Sequence, residues 1–179
     1  ITKDVEYYFK VEPIKWEILT ESHNTITLLS NTIIDIQLYL GIVGTSRTEN
    51  GKTIYNNNYK YSDIRSWLNK EFYKKAFSND ENNIIEPVTV DNSATSTNSD
   101  SNIYACDDTE DKVWLLSYQD LLNADYGFGN IVNEDKARQK MMSDYSRASK
   151  TYSKDASTLY NGSWWTRSPN TSGSKNVWM

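Results

Sequence analysis

The chain carries one histidine and one cysteine, the side chains on which most proton-transfer and nucleophilic chemistry depends. His23 lies in the polar stretch TESHNTIT, which is typical of a hairpin turn. Cys106 lies in YACDDTEDK, where neighbouring acids raise the pKa of a thiol and suppress the reactive thiolate. We therefore predict no catalytic residue and no cofactor, and a single cysteine excludes an intrachain disulfide.

Four acids crowd the stretch CDDTED: Asp107, Asp108, Glu110 and Asp111. Oxygen ligands at this density are those that calcium prefers, but the spacing and the glycine of an EF-hand loop are missing. We predict a solvated acidic turn without a bound metal and leave calcium binding open. A carboxylate pair for glycoside hydrolysis also stays open, because no spacing singles out a pair among the 24 acids.

Two adjacent tryptophans, Trp164 and Trp165, stand in the stretch SWWTRSP. Neighbouring side chains of a strand point to opposite faces, so either both faces are covered or one ring meets a ligand. In the first alternative one ring closes the core under a helix and the other covers a loop. Arg167 then stacks on an exposed ring or pairs with a carboxylate such as Asp63 or Glu12. We favour this structural alternative and keep the second, a ligand platform, open.

A ligand surface would combine aromatic rings with amides, since apolar sugar faces stack on rings and protein hot spots are rich in Tyr, Trp and Arg. Further tyrosines (Tyr61 and Tyr160) and the asparagines at 56–58 belong to the same pattern. The predicted ligand-binding residues are Tyr55, Asn57, Tyr59, Tyr126, Trp165 and Arg167.

The composition limits the class of protein. The 179 residues suffice for one domain with a core, and 13 Tyr and 6 Trp indicate a core that relies on aromatics. A net charge of −5 with scattered lysines and arginines argues against nucleic-acid binding. No stretch approaches the roughly 20 apolar residues of a membrane span, so we expect no membrane insertion.

The pattern of apolar residues predicts several short elements. Strands are predicted within 5–20, within 25–40 with a break near Ser30-Asn31, at 86–90, and at 111–117. The clearest helix is predicted at about 62–77, with Ser62 as its N-cap. A capping box from Ser117 to Asp120 predicts a short helix, and one or two more are predicted within 134–150. Residues 41–61 and 91–102 are predicted to be loops, the second of them exposed.

Several stretches occur in the order of a family of bacterial surface and secreted domains: EPIKW, SDIRSWLNKEFY, DKVWLLSY, YGF and WWTRSP. The chain resembles this uncharacterised family from about residue 7 to residue 169. The family in turn resembles C-type-lectin-like folds, the group that includes formylglycine-generating enzymes. Those oxidases work through a pair of cysteines and calcium-dependent lectins use EPN or QPD and WND triplets. This chain has one cysteine and none of the triplets, so neither activity is carried over.

The resemblance implies an α+β, C-type-lectin-like, loop-rich domain with small antiparallel sheets, one main helix and shorter helices. Residues 1–179 are expected to form a single domain, a fragment of a longer protein without the closing C-terminal strand of the family. The implied function is a non-enzymatic binding or adhesion module, extracellular or at the cell surface, whose ligand is a glycan or a host or bacterial surface protein. A carbohydrate-active enzyme and a purely structural spacer are the alternatives.

Overall fold

A computed structural model of the chain describes residues 4–41, 44–130, 135–149 and 161–179. Within them the fold is a loop-rich mixture of short helices and strands, as predicted. The strands are β1 (Trp16–Ser22), β2 (Thr25–Ser30), β3 (Thr32–Ile33), β4 (Ser46–Glu49), β5 (Lys52–Tyr55), β6 (Val88–Val90), β7 (Thr109–Asp111) and β8 (Met141–Met142). The α-helical segments are α1 (Asp63–Trp67), α2 (Tyr73–Ala76), α3 (Asn79–Ile84) and α4 (Asp144–Ser149). Single 3₁₀ turns occupy Ala94–Ser96, Asp120–Leu122, Ala124–Tyr126 and Lys136–Arg138.

The chain divides into two compact units, and the boundary falls within the tryptophan doublet. The first unit combines Ile1–Gln37 with Asn123–Trp164, and the second combines Leu38–Leu122 with Trp165–Met179. Trp164 thus belongs to the first unit and Trp165 to the second. The prediction of one domain over 1–179 stays a prediction.

The first unit is organised around an antiparallel hairpin of β1 and β2. Its turn includes His23, whose φ of 50° fits the predicted turn. The register shifts between Ile18 and Thr20, where the intervening Leu19 is buried. The strand region at 25–40 is broken near Ser30-Asn31, as predicted, and β3 pairs with β8. This pairing is parallel, so the prediction of antiparallel sheets is wrong at this one place.

The main helix of the second unit runs from Asp63 to Ala76, as predicted, but contains a π-helical turn. Ser62 caps it: its Oγ accepts a hydrogen bond from the Arg65 amide at 3.2 Å. The wider turn at Leu68–Phe72 separates α1 from α2. Ile64 and Leu68 are buried against two tyrosines, Tyr39 and Tyr59, and these four residues form one core cluster of the unit. Half of this cluster is aromatic.

The predicted strand at 111–117 is wrong beyond its first residue, since β7 ends at Asp111. Polar side chains take the place of a neighbouring strand here. The Asn69 amide, within the π turn, donates to the Val113 carbonyl at 2.8 Å and accepts from the Lys112 and Val113 amides. Further along, Arg167 donates to the Leu115 carbonyl at 2.8 Å. Side chains thus satisfy these backbone groups in place of a neighbouring strand.

Residues 91–102 are not the exposed loop that their polarity predicted. Ser96, Thr97 and Asn102 are buried, and their hydroxyl and amide groups bond to backbone within the second unit. The Asn102 amide, for example, donates to the Pro169 carbonyl at 2.9 Å. A buried polar group is tolerated when it is hydrogen-bonded, which is why low hydrophobicity misled the prediction.

The region predicted as a loop at 41–61 contains a hairpin of β4 and β5. Its turn is Asn50-Gly51, with φ values of 50° and 75°. Two successive positive φ values define the type I′ turn that suits two-residue hairpins, and Asn-Gly is its strongest signal. Near the last residue a β-bridge joins Pro169 to Val177. The expectation that the family's closing C-terminal strand is missing stays a prediction.

Candidate recognition surface

Three of the six predicted ligand-binding residues lie inside the second unit. Tyr59 and Asn57 have no exposed surface, and Arg167 is 5% exposed. Asn57 joins two segments: its amide donates to the Gly173 and Asn176 carbonyls at 3.0 and 3.1 Å. In this structure these side chains hold the fold together.

Arg167 has the structural role that the sequence favoured, with different partners. Its Nη1 lies 2.6 Å from the Asp120 carboxylate and 2.8 Å from the Leu115 carbonyl, and its Nε donates to the Asp91 carbonyl at 3.1 Å. Asp63 instead accepts from the Gly41 amide at 2.7 Å. The Arg167 guanidinium thus ties the late segment to residues 91–120. We call the guanidinium and these three partners the Arg167 latch.

The tryptophan doublet is also engaged in packing. The Trp165 ring lies 5.6 Å from the Tyr39 ring at an angle of 62° and packs against the core. The Trp164 indole donates to the Arg138 carbonyl at 3.1 Å, within the first unit. One ring therefore closes the core beside the main helix and the other covers a short turn, as the structural alternative predicted.

Burial changes the acidity of three groups in the second unit. It raises the pKa of the Tyr39 and Tyr59 phenols well above their usual value near 10. Electrostatic repulsion adds a smaller effect, from Tyr59 on Tyr39 and from Asp111 on Tyr59. It also raises the pKa of the Cys106 thiol. The neighbouring acids in the sequence also predict a raised pKa for Cys106, but burial is the larger cause. Each group is held in its neutral form.

The four crowded acids have four separate partners. Asp107 pairs with Lys60 at 2.8 Å, and Asp111 is fully buried against Arg65 at 2.8 Å. Asp108 accepts from the Asn92 amide at 3.0 Å, and Glu110 accepts from the Thr89 hydroxyl. Among the described residues no group of three or more His, Cys, Asp or Glu is placed to hold a metal ion.

The remaining predicted residues, Tyr55 and Tyr126, are half-exposed tyrosines. Tyr55 forms a ring pair at the surface. Its ring meets the Tyr104 ring edge-on, with centroids 4.9 Å apart and planes at 90°. Tyr126 belongs to the first unit, where its ring lies 6.4 Å from Phe128. Tyr160 lies outside the described residues. The structure therefore brings Tyr55 together with Tyr104, a residue that the sequence analysis did not select.

Tyr104 lines a depression of about 260 Å³. Its loop is fixed from below, because the Asn102 side chain accepts from the Tyr104 amide at 3.0 Å and donates to Thr97 and Pro169. Ile103, next to Tyr104, is 75% exposed. We call this feature the Tyr104 depression, and its lining residues are Ser99, Ser101, Asn102, Ile103, Tyr104 and Thr171.

Comparison with known families adds the assignment. The model of a domain of unknown function, DUF6273, matches residues 23–179. The chain belongs to the DUF6273 family. The DUF6273 match spans both units and the motifs SDIRSWLN, DKVWLLSY, YGF and WWTRSP, whereas EPIKW precedes it. The expectation of an uncharacterised family is thereby confirmed.

Two further comparisons gave no match: none of the curated proteins and none of the solved structures resembles the DUF6273 chain significantly. Of the helices in the described part of the chain, none has the length and apolar character needed to cross a membrane.

Proposed function

We propose that this domain is a non-enzymatic recognition module of a bacterial surface protein, acting outside the cell on a glycan or a protein. The observation that carries the proposal is the Tyr104 depression with the Tyr55–Tyr104 ring pair beside it. Half-exposed aromatic rings, an exposed aliphatic side chain and uncharged hydrogen-bonding groups, held on a fixed loop, are the ingredients of a binding site. A C-type-lectin-like fold, which presents loops in this manner, is part of the proposal.

Four described carboxyl groups have a lowered pKa, which disfavours them as the general acid of a glycosidase. A general acid for glycoside cleavage needs a raised pKa. Among the described carboxyl groups, those whose pKa departs from the usual value all depart downward: Glu81, Asp91, Asp107 and Asp135. For Asp91 and Asp107 the main cause is a side-chain hydrogen bond, from Ser93 and Lys60 respectively.

A binding screen tests the proposal. The purified domain is applied to a glycan array and to a panel of purified bacterial and host surface proteins, and candidate ligands are titrated by calorimetry. We expect saturable binding of at least one ligand that is recovered unchanged. Absence of saturable binding across both panels, or turnover of a bound glycan, would contradict the proposal.

The location has its own test. Antibodies against the domain are added to intact and to permeabilised cells of the source bacterium. Labelling of intact cells at the level of permeabilised cells is expected for a surface module. Labelling that requires permeabilisation would overturn the extracellular assignment.

A further inference from the structure

We infer that the Tyr104 depression binds a neutral glycan, by stacking a sugar ring on tyrosine and bonding its hydroxyl groups without a metal ion. The inference rests on the proposed function and names the ligand class for the same surface. Three features of the depression lead to it: its charge, its size and its rigidity.

The charge of the depression favours an uncharged ligand. None of its six lining residues carries a charge. The exposed Asp100 lies between two of them, Ser99 and Ser101, and residues 91–111 contain no lysine or arginine. A sialylated, sulfated or phosphorylated ligand would therefore find no charged partner among the lining residues and an acidic residue, Asp100, beside them.

The polar groups that the depression offers to a ligand are hydroxyls, which both donate and accept hydrogen bonds. Ser99 and Ser101 hold their hydroxyl oxygens 3.2 Å apart. The Tyr104 and Thr171 hydroxyls make no hydrogen bond to any described residue. These uncharged hydroxyl groups beside an aromatic ring match the alternation of polar rim and apolar face in a sugar.

The size and rigidity favour a small ligand over a protein. A volume of about 260 Å³ lies just below the roughly 300–1,000 Å³ of sites for drug-sized molecules. Protein partners cover about 800 Å² of surface on each side and rely on Trp, Tyr and Arg anchors. Trp165 and Arg167 are engaged in the core and in the latch, so of these types the sequence prediction leaves only tyrosines to anchor a partner. The buried Asn102 fixes the loop before binding, which lowers the entropic cost of binding.

The test uses exposed positions, so that the variants fold. Ser101→Arg fills the depression from an exposed residue, and Ser163→Arg adds the same side chain at an exposed position of the first unit. Tyr104→Phe keeps the ring and removes its hydroxyl. Each variant is titrated by calorimetry with the neutral oligosaccharide that binds best on an array carrying neutral and anionic glycans, with and without EDTA.

We expect neutral glycans to bind, with affinity at least tenfold lower in Ser101→Arg, a few-fold lower in Tyr104→Phe, and unchanged in Ser163→Arg and in EDTA. Glycan binding that Ser101→Arg leaves intact, that EDTA abolishes, or that is confined to anionic glycans would overturn the inference while the proposed function stands. A protein ligand in place of a glycan would do the same. No saturable ligand of either class would overturn both.

Discussion

At the scale of single residues, buried polar side chains bond to backbone groups that neighbouring strands would satisfy in other folds. The Arg167 latch shows this most clearly, since one guanidinium serves a carboxylate and two backbone carbonyls. The sequence favoured a structural role for Arg167 and kept it as a candidate ligand-binding residue, but its partners Asp120 and Asp91 could not be read from spacing. They lie 47 and 76 residues away along the chain. Pairing at such separation is fixed by the fold.

Removing the latch should destabilise the protein. Arg167→Ala leaves the Asp120 carboxylate and two carbonyls without their donor, so we expect the free energy of unfolding to fall by about 3 kcal/mol. Arg167→Lys, which cannot serve the three acceptors at once, should lie in between. The measurement is denaturant unfolding followed by circular dichroism.

Lys10→Ala is the matched control for the latch, because it removes a cation from the exposed ion pair with Glu12. It should change the free energy of unfolding by less than about 0.5 kcal/mol. Equal stability of Arg167→Ala and Lys10→Ala would show that the latch contributes nothing.

The two core tyrosines predict a pH dependence. Their folded-state pKa is raised by burial, so the stability they contribute is complete below about pH 10, the unfolded value, and is lost as the pH rises further. In a spectrophotometric titration of the native protein, at least two of the 13 tyrosines should ionise only when the fold is lost.

The control for this titration is the protein in guanidinium chloride, where all 13 tyrosines should ionise together near pH 10. If all of them ionise near pH 10 while the far-ultraviolet circular dichroism stays native, Tyr39 and Tyr59 are not buried as described.

At the scale of elements, the sequence predicted those whose signals are local. The main helix begins at its predicted cap, Ser62. The capping box between Ser117 and Asp120 is formed in both directions, at 2.7 and 2.9 Å. The β4–β5 hairpin lies where the polar composition of residues 41–61 predicts a loop, although the Asn50-Gly51 pair is a signal of a hairpin turn. The strand prediction for the segment after β7 is wrong for a different reason. The segment pairs with the side chain of Asn69, and no local sequence pattern indicates such a partner.

Asn69 therefore carries a prediction. Asn69→Asp keeps the shape and the acceptor oxygens but replaces the amide donor, which faces the Arg65 and Val113 carbonyls at 3.2 and 2.8 Å. Carboxylate oxygens against two carbonyls should lower the free energy of unfolding by about 2–3 kcal/mol. Thermal unfolding of the variant checks this.

Asn79→Asp is the control for Asn69, because Asn79 is exposed in the first turn of α3, where a negative charge is tolerated. It should be neutral or slightly stabilising. A loss of stability in Asn69→Asp no larger than in this control would show that the segment at 112–113 does not depend on the amide.

At the scale of the whole molecule, the motifs and the proposed recognition surface are different sets of residues. SDIRSWLN and WWTRSP supply the helix, core and latch, whereas the Tyr104 depression comes from residues 99–104 and from Thr171. The family resemblance predicted a loop-rich α+β domain. The sequence could not select Tyr104, because a half-exposed ring is recognised only once its neighbours in space are known. A scaffold with a fixed core and a separate surface can change its ligand without changing its fold.

The most direct test of this account is a chemical-shift map of the ¹⁵N-labelled domain titrated with a neutral oligosaccharide identified on the array. Shifts should concentrate at residues 99–104, at Tyr55 and around Thr171, with the amides of the main helix at 63–76 unmoved. Shifts centred on the main helix, or confined to the first unit, would contradict the claim that the Tyr104 depression is where this domain recognises its ligand.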